Sequence, residues 1–173
     1  MFGMVFEQIW GGKKFLFYYF IAGFGAAALQ QGVWACEYFS LMNNTADFTQ
    51  IMQEVASNGA NVLSRGMNYT DKALGSLNLL MNIPTVGASG AVFGILLAFG
   101  FMFPQEKLFL FFIPIPIPAR IFVAIYGVIE LIGGVANFAW DNIAHFAHLG
   151  GLFAGLIVVL IWRRQNKLYN RVF

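Results

Sequence analysis

Two residues of this chain combine a reactive side chain with surroundings that let helices approach closely. Ser89 stands in the run Gly87-Ala88-Ser89-Gly90-Ala91-Val92-Phe93-Gly94, and His148 stands in Ala147-His148-Leu149-Gly150-Gly151, with Gly155 four residues further on. A serine hydroxyl is a weak nucleophile until an adjacent base accepts its proton, and an imidazole is the usual base. Gly90 with Gly94, and Gly151 with Gly155, are small-xxx-small pairs that allow apolar helices to pack backbone to backbone. Serine and glycine are common packing residues, so Gly-x-Ser-Gly alone discriminates little. A histidine inside an apolar segment is costly to bury and is usually functional. Residue types and spacing therefore leave two readings open, simple helix packing and a Ser–His pair.

The elements that would position these residues are membrane helices. The 173 residues are 59% hydrophobic and only 10% charged, with a mean hydropathy of +0.69, against about a quarter charged in soluble domains. A helix crossing a bilayer needs about 20 mainly apolar residues. Four windows meet this need, at about 15–35, 85–103, 119–139 and 143–162, and residues 1–10 read as the tail of an earlier helix ending at Trp10-Gly11-Gly12. Eight basic residues (Lys13, Lys14, Lys107, Arg120, Arg163, Arg164, Lys167 and Arg171) fall on one side if the windows alternate, and that side is cytoplasmic by the positive-inside rule. The second and fourth windows then run parallel from the outer side inwards. Ser89, five residues after Pro84, and His148, seven after Asp141, lie about 7 and 10 Å deep at 1.5 Å per residue. At matched depth the two can meet.

The remaining segments are connectors. Residues 37–82 form a polar insertion on the outer side. Asp47 with Gln50 reads as a capping box opening a helix over 48–63, and 70–80 reads as a second helix. The insertion leads into the Ser89 helix and is expected to cap the opening above it. Pro114, Pro116 and Pro118 cannot continue a helix and predict an extended connector at the membrane surface. The single Cys36 excludes an internal disulfide and a cysteine-based metal site. The basic residues lack the clustered, aromatic-interleaved pattern of a nucleic-acid surface, and no secretory leader is evident.

Gly87-Ala88-Ser89-Gly90 resembles the Gly-x-Ser-Gly nucleophile motif of the rhomboid family of intramembrane serine proteases, and Ala147-His148-x2-Gly151-x3-Gly155 resembles its last helix. Glu7-Gln8-Ile9-Trp10-Gly11-Gly12-Lys13-Lys14-Phe15 is similar to the end of the family's second helix and the start of its third. The resemblance implies an all-α, polytopic transmembrane bundle with four complete spans plus the remnant of an earlier one. It implies a serine endopeptidase without cofactor or metal, acting on transmembrane segments of membrane proteins in the bilayer. Ser89 would be the nucleophile and His148 the base, with no carboxylate needed as a third member. Gly87 and the backbone N–H of Ser89 would support the oxyanion. Phe93, one turn after Ser89, replaces a tyrosine that stacks on the family's catalytic histidine, so packing is expected to survive and the hydroxyl's hydrogen bond is not. The expected location is a bacterial cytoplasmic membrane, with the C-terminus cytoplasmic and the active site opening outwards. A non-catalytic rhomboid-like protein that binds membrane clients is the alternative from another class. Both dyad residues are present, which speaks against it. A transporter is disfavoured because no inverted repeat is evident.

Other titratable residues have plainer expectations. Asp141, two helical turns above His148, reads as a cap or surface residue. His145 reads as a helix-end polar residue, since two histidines without a nearby carboxylate make a poor zinc site. Glu130 is expected to face the bundle as a structural residue, and Glu7 to make a cytoplasmic-side contact. The family's His-x-x-x-Asn oxyanion motif has no match, because the corresponding helix begins at Met1. The expectation is that the chain is a fragment of a longer protein, with a natural short paralogue as the other option. Each missing oxyanion donor costs about 2.7–4 kcal/mol, so the fragment alone is expected to be nearly inert.

Overall fold

The structure is a computed structural model that describes residues 2–84, 87–110, 113–136 and 144–169. Asp141 and Arg171, and the ends of the third and fourth windows that fall within 137–143, lie outside the described residues. The chain divides into two compact units, one of residues 1–30 with 87–173 and one of residues 31–86. The polar insertion read over 37–82 falls within the second unit.

In the first unit, α1 (Phe2–Trp10) is followed by α2 (Gly12–Asn44), whose first 19 residues belong here. Gly11 breaks the two apart with a φ of +75°, a left-handed conformation that glycine adopts without steric cost. After the second unit come α5 (Ser89–Met102), a hairpin of β1 (Lys107–Leu110) and β2 (Ile113–Pro118), α6 (Ala119–Ala136) and α7 (His145–Arg164). By length and composition α6 and α7 can each cross a bilayer. The α5 helix has 14 residues, about 21 Å at 1.5 Å per residue, short of the expected window because Gly87 and Ala88 are not helical. Gln30 and Gln31 interrupt the apolar run of the 33-residue α2. The expectation of an all-α membrane bundle is met in that the described chain is mostly helical, with two helices, α6 and α7, long and apolar enough to cross a bilayer.

Packing is tightest where α2, α5 and α7 meet. A methyl group added at Gly150 would lie 2.6 Å from the Gly25 carbonyl oxygen and 2.9 Å from Ala26 Cα. At Gly94 it would meet the side chain of Ala22 and, at 3.0 Å, the carbonyl oxygen of Gly151. Gly90, Gly94, Gly151 and Gly155 therefore stand at the helix contacts, as their spacing suggested. Below this junction lies an aromatic core of Phe6, Trp10, Tyr18, Ile95, Met102, Val159, Trp162 and Leu168. Trp10 donates its indole N–H to the Leu168 carbonyl at 2.8 Å, and the buried Tyr18 hydroxyl donates to the Gly94 carbonyl at 2.6 Å. Tyr18→Phe is expected to lower stability by about 1 kcal/mol, read as an earlier thermal unfolding midpoint in detergent micelles. On the opposite faces, Phe20, Phe24, Ile125, Val128, Ile132, Val135, Phe153 and Ile161 are exposed. A row of large apolar side chains of this kind finds favourable neighbours in hydrocarbon rather than in water.

The proline segment is extended, as expected, but it is also paired. Lys107 faces Pro118, Leu108 faces Ile117 and Phe109 faces Pro116 in antiparallel register, with an irregularity between Phe109 and Leu110. Alternating prolines exclude a helix but do not disclose which strand they pair with.

The second unit holds α3 (Phe48–Ser64) and α4 (Lys72–Asn82), close to both expected helices. The capping box is a correction. Asp47 adopts a left-handed conformation with φ of 58° and its side chain makes no cap hydrogen bond. Its backbone carbonyl accepts from Gln50 N instead. The side-chain cap in this unit belongs to Asp71, which accepts from Leu74 N at 2.9 Å at the start of α4. The two helices close on Val55, Leu77 and Asn78, all fully buried. Asn78 satisfies its polar atoms by donating to Asn68 Oδ1 and accepting from Asn82 Nδ2.

Candidate active site

Ser89 is the first residue of α5, not a residue one turn inside a longer helix. The cause is local. Gly87 has a φ of +135°, a region other residues rarely enter, and the chain turns there into the helix. The first intrahelical bond beyond this turn runs from Val92 N to Ala88 O at 3.1 Å. The backbone N–H groups of Ser89, Gly90 and Ala91 thus belong to the opening turn, which has no carbonyls of its own helix to bond. The Ser89 side chain is exposed.

His148 is buried, at 8% exposure, in the first turn of α7. Its Nε2 lies 2.9 Å from Ser89 Oγ, within hydrogen-bond range for a base and a hydroxyl. The glycine contacts explain the approach. A methyl group at Gly90 would collide with Ala26 and lie 3.0 Å from the Ala147 carbonyl oxygen, so α5 and α7 meet at one residue's remove from each reactive side chain. The Phe93 ring lies flat against the imidazole, with centroids 4.1 Å apart and planes 7° apart. It fixes the ring plane without offering a hydrogen bond.

Two further residues complete the site, and sequence reasoning gave neither this place. Gln30, buried in α2, accepts from Ala147 N at 3.1 Å through Oε1. The same N–H also donates to the Ala144 carbonyl at 2.9 Å, so Gln30 shares a donor of the α7 opening turn. Its signal in the sequence is a polar residue in an otherwise apolar run. Glu130 of α6 is buried at 6% exposure. One of its oxygens, Oε2, lies 2.6 Å from His145 Nδ1 and 3.0 Å from His148 Nδ1. The first contact is a hydrogen bond. The second has hydrogen-bond length but not direction, so His148 Nδ1 is a buried polar atom without an aligned partner. It is an electrostatic contact. Glu130 does face the bundle, as expected, and there it meets both histidines. His145 stands at the helix end, as expected, but against a carboxylate. Among the described residues no three His, Cys, Asp or Glu side chains are arranged to hold a metal ion.

An exposed serine at a helix start and an imidazole within hydrogen-bond range of its hydroxyl are parts of a serine hydrolase. The Rhomboid domain family matches residues 1–165, which is nearly the whole chain. The chain belongs to the rhomboid family. Rhomboids are a family of intramembrane proteases, and this rhomboid is a membrane protein with transmembrane helices. It is 36% identical over 74 residues to Rhomboid protein 1, mitochondrial, of Saccharomyces cerevisiae, a stretch covering 43% of this chain and 21% of that protein. The matched part of this rhomboid thus spans about a fifth of that relative's length. No solved structure matches the chain.

Proposed function

We propose that this rhomboid is an intramembrane serine endopeptidase in which Ser89 is the nucleophile and His148 the general base. The reading rests on one observation above the others, the 2.9 Å separation of His148 Nε2 and Ser89 Oγ. In the proposed reaction Ser89 Oγ bonds to the carbonyl carbon of a peptide in a substrate's transmembrane segment while its proton passes to His148 Nε2. The imidazolium then protonates the leaving amine as the C–N bond breaks. Water hydrolyses the resulting ester by the same route in reverse. The N–H groups of the α5 opening turn supply donors for the oxyanion, where preorganised dipoles have their largest effect. Helices α2, α5, α6 and α7 are the proposed spans, with the basic residues after α7 on the cytoplasmic side. The substrate partners are membrane proteins held in the same bilayer.

Labelling with a fluorophosphonate probe tests the assignment. The full-length protein in detergent should be labelled, its Ser89→Ala variant should not be, and its His148→Ala variant should be labelled far more slowly. Equal labelling of all three would remove Ser89 and His148 from the mechanism.

A further inference from the structure

Glu130 is the one carboxylate that the described structure buries beside a histidine, and its single oxygen Oε2 faces the Nδ1 atoms of two. An ionisable group on an apolar helix is costly to keep there. Its surroundings are built for it from both sides. One turn further along α6, a methyl group at Gly133 would lie 2.7 Å from His145 Nε2, and one at Gly134 would lie 3.1 Å from the Phe146 ring. These two glycines let the start of α7 settle against α6, and that approach carries His145 onto Glu130. His145 then holds the carboxylate by a 2.6 Å hydrogen bond, directly beneath the buried and unaligned Nδ1 of His148. One face of the His148 ring is covered by Phe93. Aligning Nδ1–H with Oε2 needs only a local adjustment of the ring or the carboxylate, since the two atoms are already 3.0 Å apart. Hydrogen bonds of this kind are often misaligned before substrate binds.

We infer that Glu130 is a positioning residue for the proposed Ser–His pair, holding His148 in its Nδ1–H tautomer and stabilising the imidazolium, with His145 as the clamp that aims the carboxylate. The inference rests on the protease reading above and deepens it. The proton balance is simple. Neutral His148 carries its hydrogen on Nδ1, so Nε2 has a free lone pair for the Ser89 proton. When Nε2 gains that proton the ring bears a positive charge, and the Glu130 carboxylate compensates it without taking a proton itself. The titratable groups around the ring in the described structure are few. Ser89 faces it from α5, Glu130 faces it from α6, His145 shares α7, and Tyr126 of α6 reaches it only through Phe93. From α2 the neutral Gln30 meets the backbone beside it.

The test uses the fact that the sequence holds only two histidines. Nitrogen-15 histidine labelling of the protein in micelles then gives two imidazole spin systems, assigned with His148→Ala. The expected result for wild type at alkaline pH is a neutral His148 protonated at Nδ1. In Glu130→Gln, whose neutral amide accepts more weakly than a carboxylate, the preference of His148 for the Nδ1–H tautomer should weaken. Turnover should fall at least about 10-fold with KM little changed, and Glu130→Asp should recover part of it. A wild-type His148 protonated at Nε2 would overturn the inference, and this holds even where Glu130→Gln fails to fold. So would a Glu130→Gln protein with wild-type rate and an unchanged Nδ1–H tautomer at His148. Persistent fluorophosphonate labelling of Ser89→Ala would instead refute the protease reading, so the two failures are distinguishable.

Discussion

Turnover of a transmembrane substrate is expected to fall by roughly 10⁴-fold or more when either Ser89 or His148 is replaced by alanine. The size follows from the geometry. The hydroxyl is exposed to an incoming peptide and its only described imidazole partner is 2.9 Å away. Removing the hydroxyl removes the atom that would bond to the carbonyl. Removing the imidazole leaves a hydroxyl with no proton acceptor, and a neutral alcohol attacks an amide very slowly. The two losses should not add. The Ser89→Ala, His148→Ala double variant should be about as slow as either single variant, because the residues act as a unit. The measurement is the initial cleavage rate of a fluorogenic transmembrane peptide in micelles. Additive losses in the double variant would mean that the two side chains work independently, contrary to their contact.

The second large effect is expected at Gly151. A methyl group there would fall on the Gly90 carbonyl, 2.6 Å from its carbon. Neither neighbour is a flexible side-chain tip that can swing aside, so the α5 and α7 backbones must separate. Overpacking of this kind costs about 1–3 kcal/mol. The functional cost should be larger in proportion, since a displacement near 1 Å takes Ser89 Oγ out of range of His148 Nε2 and can lower a rate by about 100-fold. Gly151→Ala should therefore unfold at lower temperature and cleave at least about 100-fold more slowly. Gly32→Ala is the matched control. That glycine is also helical, but nothing lies within 4 Å of an added methyl group, and alanine there should stabilise by up to about 1 kcal/mol. Equal behaviour of the two variants would mean that helix propensity, not the α5–α7 contact, governs the response.

The contrast between these glycines indicates what the sequence makes legible. Gly90, Gly94, Gly151 and Gly155 carry a spacing that allows close helix contact, so tight packing of the Ser89 and His148 helices is legible in residue types while their pairing with each other is not. Nor is the place of Glu130. Its distance from either histidine depends on how α6 is rotated about its axis, and that rotation is set by Gly133 and Gly134 against His145 and Phe146. Nothing in the spacing of one glutamate and two histidines fixes it. Gln30 was hidden for a similar reason, because a glutamine in an apolar helix does not reveal which backbone amide it satisfies. The start of the Ser89 helix is not legible either, because the positive φ of Gly87 holds it outside the helix and leaves Ser89 as the first residue of α5. Asp47 shows the limit of local motifs. The capping-box residues are present, but the left-handed backbone turns the carboxylate away from the N–H it would bond.

The proline hairpin has a consequence for what can bind to this face of the protein. Ala119 N donates to Glu106 O at 2.8 Å, across the base of the hairpin towards the side on which β1 runs. Because successive amides of a strand point to opposite edges, Ile117 also turns its N–H towards β1. Pro118 and Pro116 occupy the alternate positions, whose amides would point to the outer edge, and proline has no N–H to give. The outer edge of β2 thus offers carbonyls without the interleaved donors that strand addition needs. An unwound peptide or the edge of another copy would find no ladder to extend there, so the β2 edge of the hairpin is closed to β-augmentation.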